Sequence, residues 1–62
     1  MSNWPQLDVA DWIEAIGFRQ YRDLFWKNNI DGNALLRLDA ESLKRDIGIT
    51  SFGHREQIAS SP

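Results

Sequence analysis

The amino-acid sequence predicts an all-α fold, a compact bundle of five short helices. Apolar residues recur at the three- and four-residue spacings of an amphipathic helix, for example at Val9, Ile13 and Ile16. No segment shows the strict apolar and polar alternation of a half-buried strand. Residues that begin or end helices also divide the chain into short segments. We therefore expect short helices and no sheet.

The first two helices are predicted over residues 9–16 and 19–27. Asp8 is the expected N-cap of the first, and Gly17 ends it because glycine readily adopts the left-handed backbone found after a helix. The second is expected to end at Asn28-Asn29, since asparagine is a weak helix former that tolerates a left-handed conformation.

Three further helices complete the prediction. Asp31 lies near the N-cap of a very short third helix over residues 33–36. Asp39 is the expected cap of the fourth, which ends at Gly48. Either Thr50 or Ser51 caps a fifth helix that runs through residue 58 toward residue 60. Each helix is shorter than the roughly 12–15 residues at which an isolated helix becomes marginally stable, so mutual packing must hold the bundle together.

The helical periodicity also predicts the core. The residues expected to be buried share the apolar stripes of these helices, and they are Val9, Trp12, Ile13, Ile16, Tyr21, Leu24, Phe25, Leu35, Leu36, Leu43 and Ile47. Trp26 lies about 100° beyond Phe25 on the helical wheel, outside that stripe. It is therefore either a half-buried residue at the bundle edge or an exposed anchor for a partner.

Length, charge and composition restrict the function. With 62 residues, we expect one domain over 1–62, with an N-terminal arm over 1–6 and a C-terminal tail over 59–62. The absence of cysteine excludes a disulfide and a Cys/His metal site, and no catalytic, cofactor or metal site is expected. A net charge of −2 argues against general nucleic-acid binding. No apolar run is long enough to span a membrane, and a cytoplasmic or otherwise intracellular location is expected.

An ordered set of short motifs extends from residue 4 to residue 58. Its members are Trp4, Asp8-Val9, Trp12-Ile13, Ile16-Gly17, Gln20-Tyr21, Leu24-Phe25, Asn28, Ile30-Asp31-Gly32, Leu35-Leu36, Leu38, Leu43-Lys44, Ile47-Gly48-Ile49, Gly53-His54-Arg55 and Ile58. In this order they resemble the sterile alpha motif (SAM) domain. The resemblance implies the five-helix SAM fold, here with a shortened fifth helix. The sequence departs from the family pattern at Trp26, a position where SAM domains generally have a polar or charged residue.

The SAM resemblance implies a non-catalytic protein-interaction module in scaffolding or signalling. In that family, a mid-loop face of one domain docks on an end-helix face of another, which gives head-to-tail dimers or open oligomers. The implied end-helix face is Lys44, Phe52, Gly53, His54 and Arg55. The implied mid-loop face is Asp31, Asn33, Asp39 and Glu41. The expected partner is another SAM-type domain, either a second copy of this chain or a different one.

Several of these residues also have a purely structural explanation. Phe52 suits the core as well as a contact surface, and His54 suits packing or hydrogen bonding near the start of the fifth helix. Asp31 and Asp39 are adequately explained as helix caps.

RNA binding and catalysis are the two alternatives to protein docking. RNA stem-loop binding near the start of helix five would use Lys44, Arg45 and Arg55, but Asp46 and Glu56 balance their charge. The sequence contains no phosphate-binding loop, metal-ligand spacing or nucleophile with a base, so we do not expect an enzyme.

Overall fold

Helices and short turns make up the fold, and residues 2–60, which the computed structural model describes, contain no strand. The all-α prediction is therefore confirmed. The helical segments are, in chain order, α1 (Gln6–Ala15), a 3-10 turn (Arg19–Tyr21), α2 (Arg22–Lys27), α3 (Gly32–Arg37), α4 (Ala40–Ser42), a π-helical segment (Leu43–Ile47) that continues α4, and α5 (Phe52–Ala59). Within the described part of the chain, no helix is both long and apolar enough to cross a membrane.

The first helix begins earlier than the sequence predicts. Pro5 occupies the N-cap with an extended backbone, and its carbonyl accepts hydrogen bonds from the N–H groups of Asp8 and Val9 at 3.0 and 3.3 Å. Asp8 lies in the first turn instead of capping the helix, so its predicted role as a cap is wrong. Proline suits the start of a helix because it has no N–H to leave unpaired there. The carboxylate of Asp8 still lies near the positive end of the helix dipole.

The predicted helix ends are confirmed at three positions where the backbone turns left-handed. Gly17 and Gly48 have φ angles of 100° and 94°, and Asn29 has a φ of 56°. Glycine and asparagine tolerate this region because they avoid or offset the Cβ clash that other residues meet. At Asn28, the residue before, the side chain also donates to the carbonyl of Leu24 at 2.8 Å.

The fourth helix widens into a π-helical segment before Gly48. The N–H groups of Gly48 and Ile49 both donate to the carbonyl of Leu43, at 3.0 and 2.9 Å. These bonds span five and six residues, which is wider than the α-helical pattern. Leu43, Ile47 and Ile49 in and beside this segment are all buried.

The core largely follows the predicted stripes. Its buried members include Val9, Ile13, Phe25, Leu35, Leu43 and Ile47. The prediction is wrong for Leu36, which is 52% exposed because α3 buries Gly32 and Leu35 and turns the neighbouring position outward. Ile30 and Ile49 are buried although they lie between helices, where periodicity gives no signal.

Helices α1 and α2 pack against each other in antiparallel directions. Arg22, at the start of α2, forms ion pairs with Asp11 at 2.8 Å and Glu14 at 3.2 Å. The hydrogen bond to Asp11 raises the pKa of the Arg22 guanidinium above its ordinary value. At the other end, the Gln6 side chain donates to the carbonyl of Trp26 at 2.7 Å. The start of α1 therefore lies beside the end of α2.

The N-terminal segment is attached to α3. The N–H of Gly32 donates to the carbonyl of Trp4 at 2.9 Å, and the Trp4 side chain packs against the core. The helical part of this segment begins at Gln6, one residue inside the predicted arm.

Candidate functional site

The start of α5 presents an aromatic side chain to solvent. Ser51 is the N-cap, and its hydroxyl accepts a hydrogen bond from the N–H of His54 at 3.4 Å. Phe52 follows and is 67% exposed, which excludes the core alternative for this residue. Gly53 is also exposed, so no side chain covers the backbone beside the Phe52 ring.

His54 connects α5 to the 3-10 turn. Its Nδ1 lies 2.6 Å from the hydroxyl of Tyr21, and its ring packs edge-on against Phe18 with centroids 5.1 Å apart. Tyr21 itself stacks on Phe18 at 5.8 Å. The half-buried imidazole therefore has the packing and hydrogen-bonding role that the sequence allowed. These contacts join the start of α5 to the 3-10 turn and the residue before it.

Arg55 lies beneath the exposed surface instead of on it. The residue is 9% exposed, and its Nη1 donates to the carbonyl of Ile49 at 2.9 Å. Its guanidinium carbon also lies 5.7 Å from the centre of the Phe52 ring, within range of a cation–π contact. The SAM resemblance placed Arg55 on the end-helix face, whereas the structure buries it beneath that face. Its spacing of three from the buried Ile58 was the available signal that the two residues share one helical face.

Lys44 is the exposed cation of the predicted end-helix face. It lies in the π-helical segment that continues α4, and α4 packs against α5. The nearby Arg45 is paired with Glu41 at 3.3 Å and with Asp46 at 3.5 Å. We find Phe52, Gly53 and Lys44 exposed, His54 half-buried and Arg55 buried, so the five predicted residues divide into an outer set and a supporting set.

The acidic residues of the predicted mid-loop face also begin helices. Asp31 accepts a hydrogen bond from the N–H of Ala34 at 2.9 Å, and Asp39 accepts one from the N–H of Ser42 at 2.8 Å. The bond from the Ser42 backbone lowers the pKa of Asp39 below its ordinary value of 3.8. Both carboxylates remain exposed, as do Asn33 and Glu41. The cap role and the exposure are compatible because each carboxylate has further acceptor positions.

Leu36 is a candidate site residue that sequence analysis missed. It lies in α3, between the Asp31–Asn33 pair and the Asp39–Glu41 pair, and 52% of its surface is exposed. Along the chain, Leu36 is therefore an apolar residue with mid-loop residues both before and after it. In the structure, Gly32 and Leu35, three residues apart, are both buried, and Leu36 lies off the face that they share. Residue type gave no signal for this difference, since Leu35 and Leu36 are both leucines.

Trp26 belongs to neither of these surfaces. The residue is 49% exposed near the end of α2, and its backbone carbonyl accepts the hydrogen bond from Gln6 at the start of α1. Among residues 2–60, the structure brings together no group of three or more His, Asp or Glu residues that could hold a metal ion.

Residues 2–61 match the family model of the SAM domain (sterile alpha motif). The chain belongs to the SAM family. It is thus a protein-interaction module in general terms, and the SAM domain is itself non-catalytic. SAM domains generally mediate contacts with other SAM domains.

Curated relatives support this assignment over most of the domain. The chain is 46% identical to the dual specificity protein kinase splA of Dictyostelium discoideum over 56 residues, 90% of this chain and 2% of the kinase. It is 42% identical to the human SH3 and multiple ankyrin repeat domains protein 2 over 89% of this chain and 3% of that protein. It is 38% identical to mouse diacylglycerol kinase delta over 89% of this chain and 4% of that protein.

The SAM chain thus spans 2–4% of the length of these relatives. The kinase activities in two of their names describe those whole proteins, of which the matched segment is a small part. No solved structure matches the chain significantly.

Proposed function

We propose that this SAM domain docks another SAM-type domain through two different faces. The end-helix face consists of Phe52, Gly53 and Lys44, supported from below by His54 and Arg55. The single observation that carries the proposal is the Phe52 ring, which is 67% exposed at the start of α5 and lies over the buried guanidinium of Arg55. An exposed aromatic side chain with a fixed base suits the centre of an interface.

The mid-loop face, which consists of Asp31, Asn33, Leu36, Asp39 and Glu41, complements the end-helix face in charge. It includes three exposed carboxylates and an exposed leucine, whereas the end-helix face includes the exposed Lys44 and the exposed Phe52. Such a pairing joins apolar to apolar and acid to base, which favours one orientation of approach. Because the two faces differ, each copy retains one free face after docking, and the contact can propagate head to tail.

Sedimentation velocity over a concentration series tests the proposal. We expect the wild-type chain to sediment faster as its concentration rises, and Phe52→Ser and Leu36→Ser to remain monomeric alone. An equimolar mixture of these two variants should form a dimer, because each supplies the face that the other lacks. Leu7→Ser is the matched control, since Leu7 is as exposed as Leu36 but lies outside both faces.

Two outcomes decide against particular parts of the proposal. If the mixture stays monomeric while the wild type associates, these faces are not the ones used. If the wild type is monomeric at every concentration, self-association is excluded and the partner is a different SAM domain. Helical circular dichroism should be the same for all variants, since Phe52, Leu36 and Leu7 are exposed.

The same proposal assigns the domain to an intracellular signalling or scaffolding protein. Its support is the kind of relative that carries a matching segment, such as the dual specificity protein kinase splA. RNA binding has less support, because Arg55 is buried and Arg45 is paired with two carboxylates. Lys44 alone is a weak basis for contacts with several phosphates.

A further inference from the structure

Two exposed apolar side chains lie outside both proposed faces. Leu7 in α1 is 53% exposed and Trp26 in α2 is 49% exposed. Gln6, the neighbour of Leu7, bonds to the carbonyl of Trp26, so the two apolar residues lie at the same end of the α1 and α2 pair. Tryptophan is among the residue types most enriched in interface hot spots.

A charged cluster lies one helical turn from this apolar pair. Arg22 is four residues before Trp26, and Asp11 is four residues after Leu7, so each lies on the same helical face as its apolar neighbour. Arg22 joins the two helices through its ion pairs with Asp11 and Glu14. We call Leu7, Asp11, Glu14, Arg22 and Trp26 the α1/α2 edge. Leu7 and Trp26 form an apolar level at one end of this edge, and the charged residues begin one helical turn away, at Asp11 and Arg22.

The charge of the edge is negative. One guanidinium faces two carboxylates, so one negative charge is left over. The same sign holds for the surrounding half of the chain: residues 1–31 contain five acids and three bases, a net charge of −2, whereas residues 32–62 contain four of each. A second copy that docked on this edge with its own edge would bring like charges together, which is unfavourable.

We propose that the α1/α2 edge docks a helical segment of another protein that carries an apolar residue and, four residues away, an arginine or lysine. The apolar residue packs on Leu7 and Trp26, and the cation faces the surplus charge of Asp11 and Glu14. A helix fits because its own residues at i and i+4 lie one turn apart, about 5–6 Å, which matches the spacing of the two levels. The contact is small, and its affinity is correspondingly low unless the two proteins are tethered.

Two synthetic peptides test this proposal against the 62-residue chain. Both are alanine-rich helices of about 18 residues, long enough to be helical in water. One contains leucine with arginine four residues later, and the other contains leucine with glutamate there. In ¹⁵N-correlated NMR spectra, we expect the leucine–arginine peptide to shift the Trp26 indole and Leu7 amide signals. The glutamate peptide should bind about fivefold more weakly, because its carboxylate repels Asp11 and Glu14 at the exposed position where the arginine attracts them.

Variants separate this edge from the rest of the surface. Trp26→Ser and Leu7→Ser should abolish the shifts, and Asp11→Asn should weaken binding, while Phe52→Ser should bind the peptide as the wild type does. Leu7→Ser and Asp11→Asn keep the test decisive if Trp26→Ser fails to fold. Absence of any shift at millimolar peptide, equal binding of both peptides, or binding that survives Leu7→Ser would overturn the proposal. The result does not depend on the docking faces at α5 and α3.

Discussion

The guanidinium of Arg55 stabilises the fold from inside, although the residue type is usually found on surfaces. It supplies the hydrogen bond that satisfies the carbonyl of buried Ile49. That carbonyl belongs to the segment between the π-helical turn and α5, where helix periodicity offers no other partner. Arg55 therefore connects the last helix to the end of the one before it.

Replacing Arg55 with alanine is expected to destabilise the domain by about 2 kcal/mol, because the Ile49 carbonyl loses a charged donor and stays buried. Urea unfolding followed by circular dichroism measures the free energy. Arg45→Ala is the matched control, since Arg45 makes only exposed ion pairs and its loss should change stability much less. Equal destabilisation by the two substitutions would contradict the internal role of Arg55.

At the scale of the elements, a glycine that ends a helix with a left-handed backbone has a conformational reason to be glycine, whereas the glycine within α5 does not. Gly48 has a φ of 94°, a conformation that disfavours any side chain even though the space beside it is open. For Gly53 no positive φ is found, and an added methyl group meets no heavy atom outside its own helix within 4 Å. The cost of a side chain is therefore conformational at Gly48 and absent at Gly53.

Alanine at these two positions is expected to act in opposite directions. Gly48→Ala should destabilise the domain by about 1 kcal/mol or more through the left-handed backbone. Gly53→Ala should stabilise it by about 0.5–1 kcal/mol, since alanine loses less backbone freedom in a helix. Thermal unfolding measures both. In sedimentation, Gly53→Ala should nevertheless weaken self-association, because its methyl group stands beside Phe52. If Gly53→Ala associates as the wild type does, Gly53 is not part of the docking face.

Much of this architecture could be predicted from sequence, for identifiable physical reasons. The caps at Asp31 and Asp39 were predicted, and Ser51 was one of two candidates, because short polar side chains bond to free N–H groups at a fixed distance along the chain. The predicted second helix, over residues 19–27, is divided in the structure into a 3-10 turn and α2. The fourth helix widens into a π-helical segment. Neither feature has a sequence signature of this kind. Both depend on tertiary packing.

The candidate site was predicted less completely than the fold. The sequence predicts that Phe52 and the mid-loop carboxylates lie near the starts of helices. Their exposure depends in addition on how α3 and α5 rotate against the core. Leu36 and Arg55 exchanged their expected environments for that reason: the leucine is exposed and the arginine is buried. Residue type alone favours the opposite result for each.

For the whole molecule, the available surface limits how tightly it can bind. The chain exposes 3960 Å². A standard interface covers about 800 Å² on each partner, or roughly a fifth of that surface. Two such faces would together cover a large share of that surface, and their affinity must come from a few central residues and from charge.

Charge reversal on the two faces is expected to show this dependence. Lys44→Glu and Glu41→Lys should each weaken self-association, and a mixture of the two variants should recover part of it, since each then meets an opposite charge. Glu41 is preferable to Asp39 here because Asp39 also caps α4. Sedimentation at low and high salt gives the measurement, and the differences should shrink as salt screens exposed charges. Unchanged association in both variants would remove these residues from the interface.

The contact between Phe52 and Arg55 has a kinetic consequence. The ring is exposed, yet its underside lies on a guanidinium that is itself held by the Ile49 carbonyl. A side chain ordered before it meets a partner gives up less rotational freedom on binding. Among variants of one interface, such gains change the lifetime of the complex more than its rate of formation. Removing the contact between Arg55 and Phe52 should therefore leave the association rate nearly unchanged and increase the dissociation rate, so that each complex lasts for a shorter time.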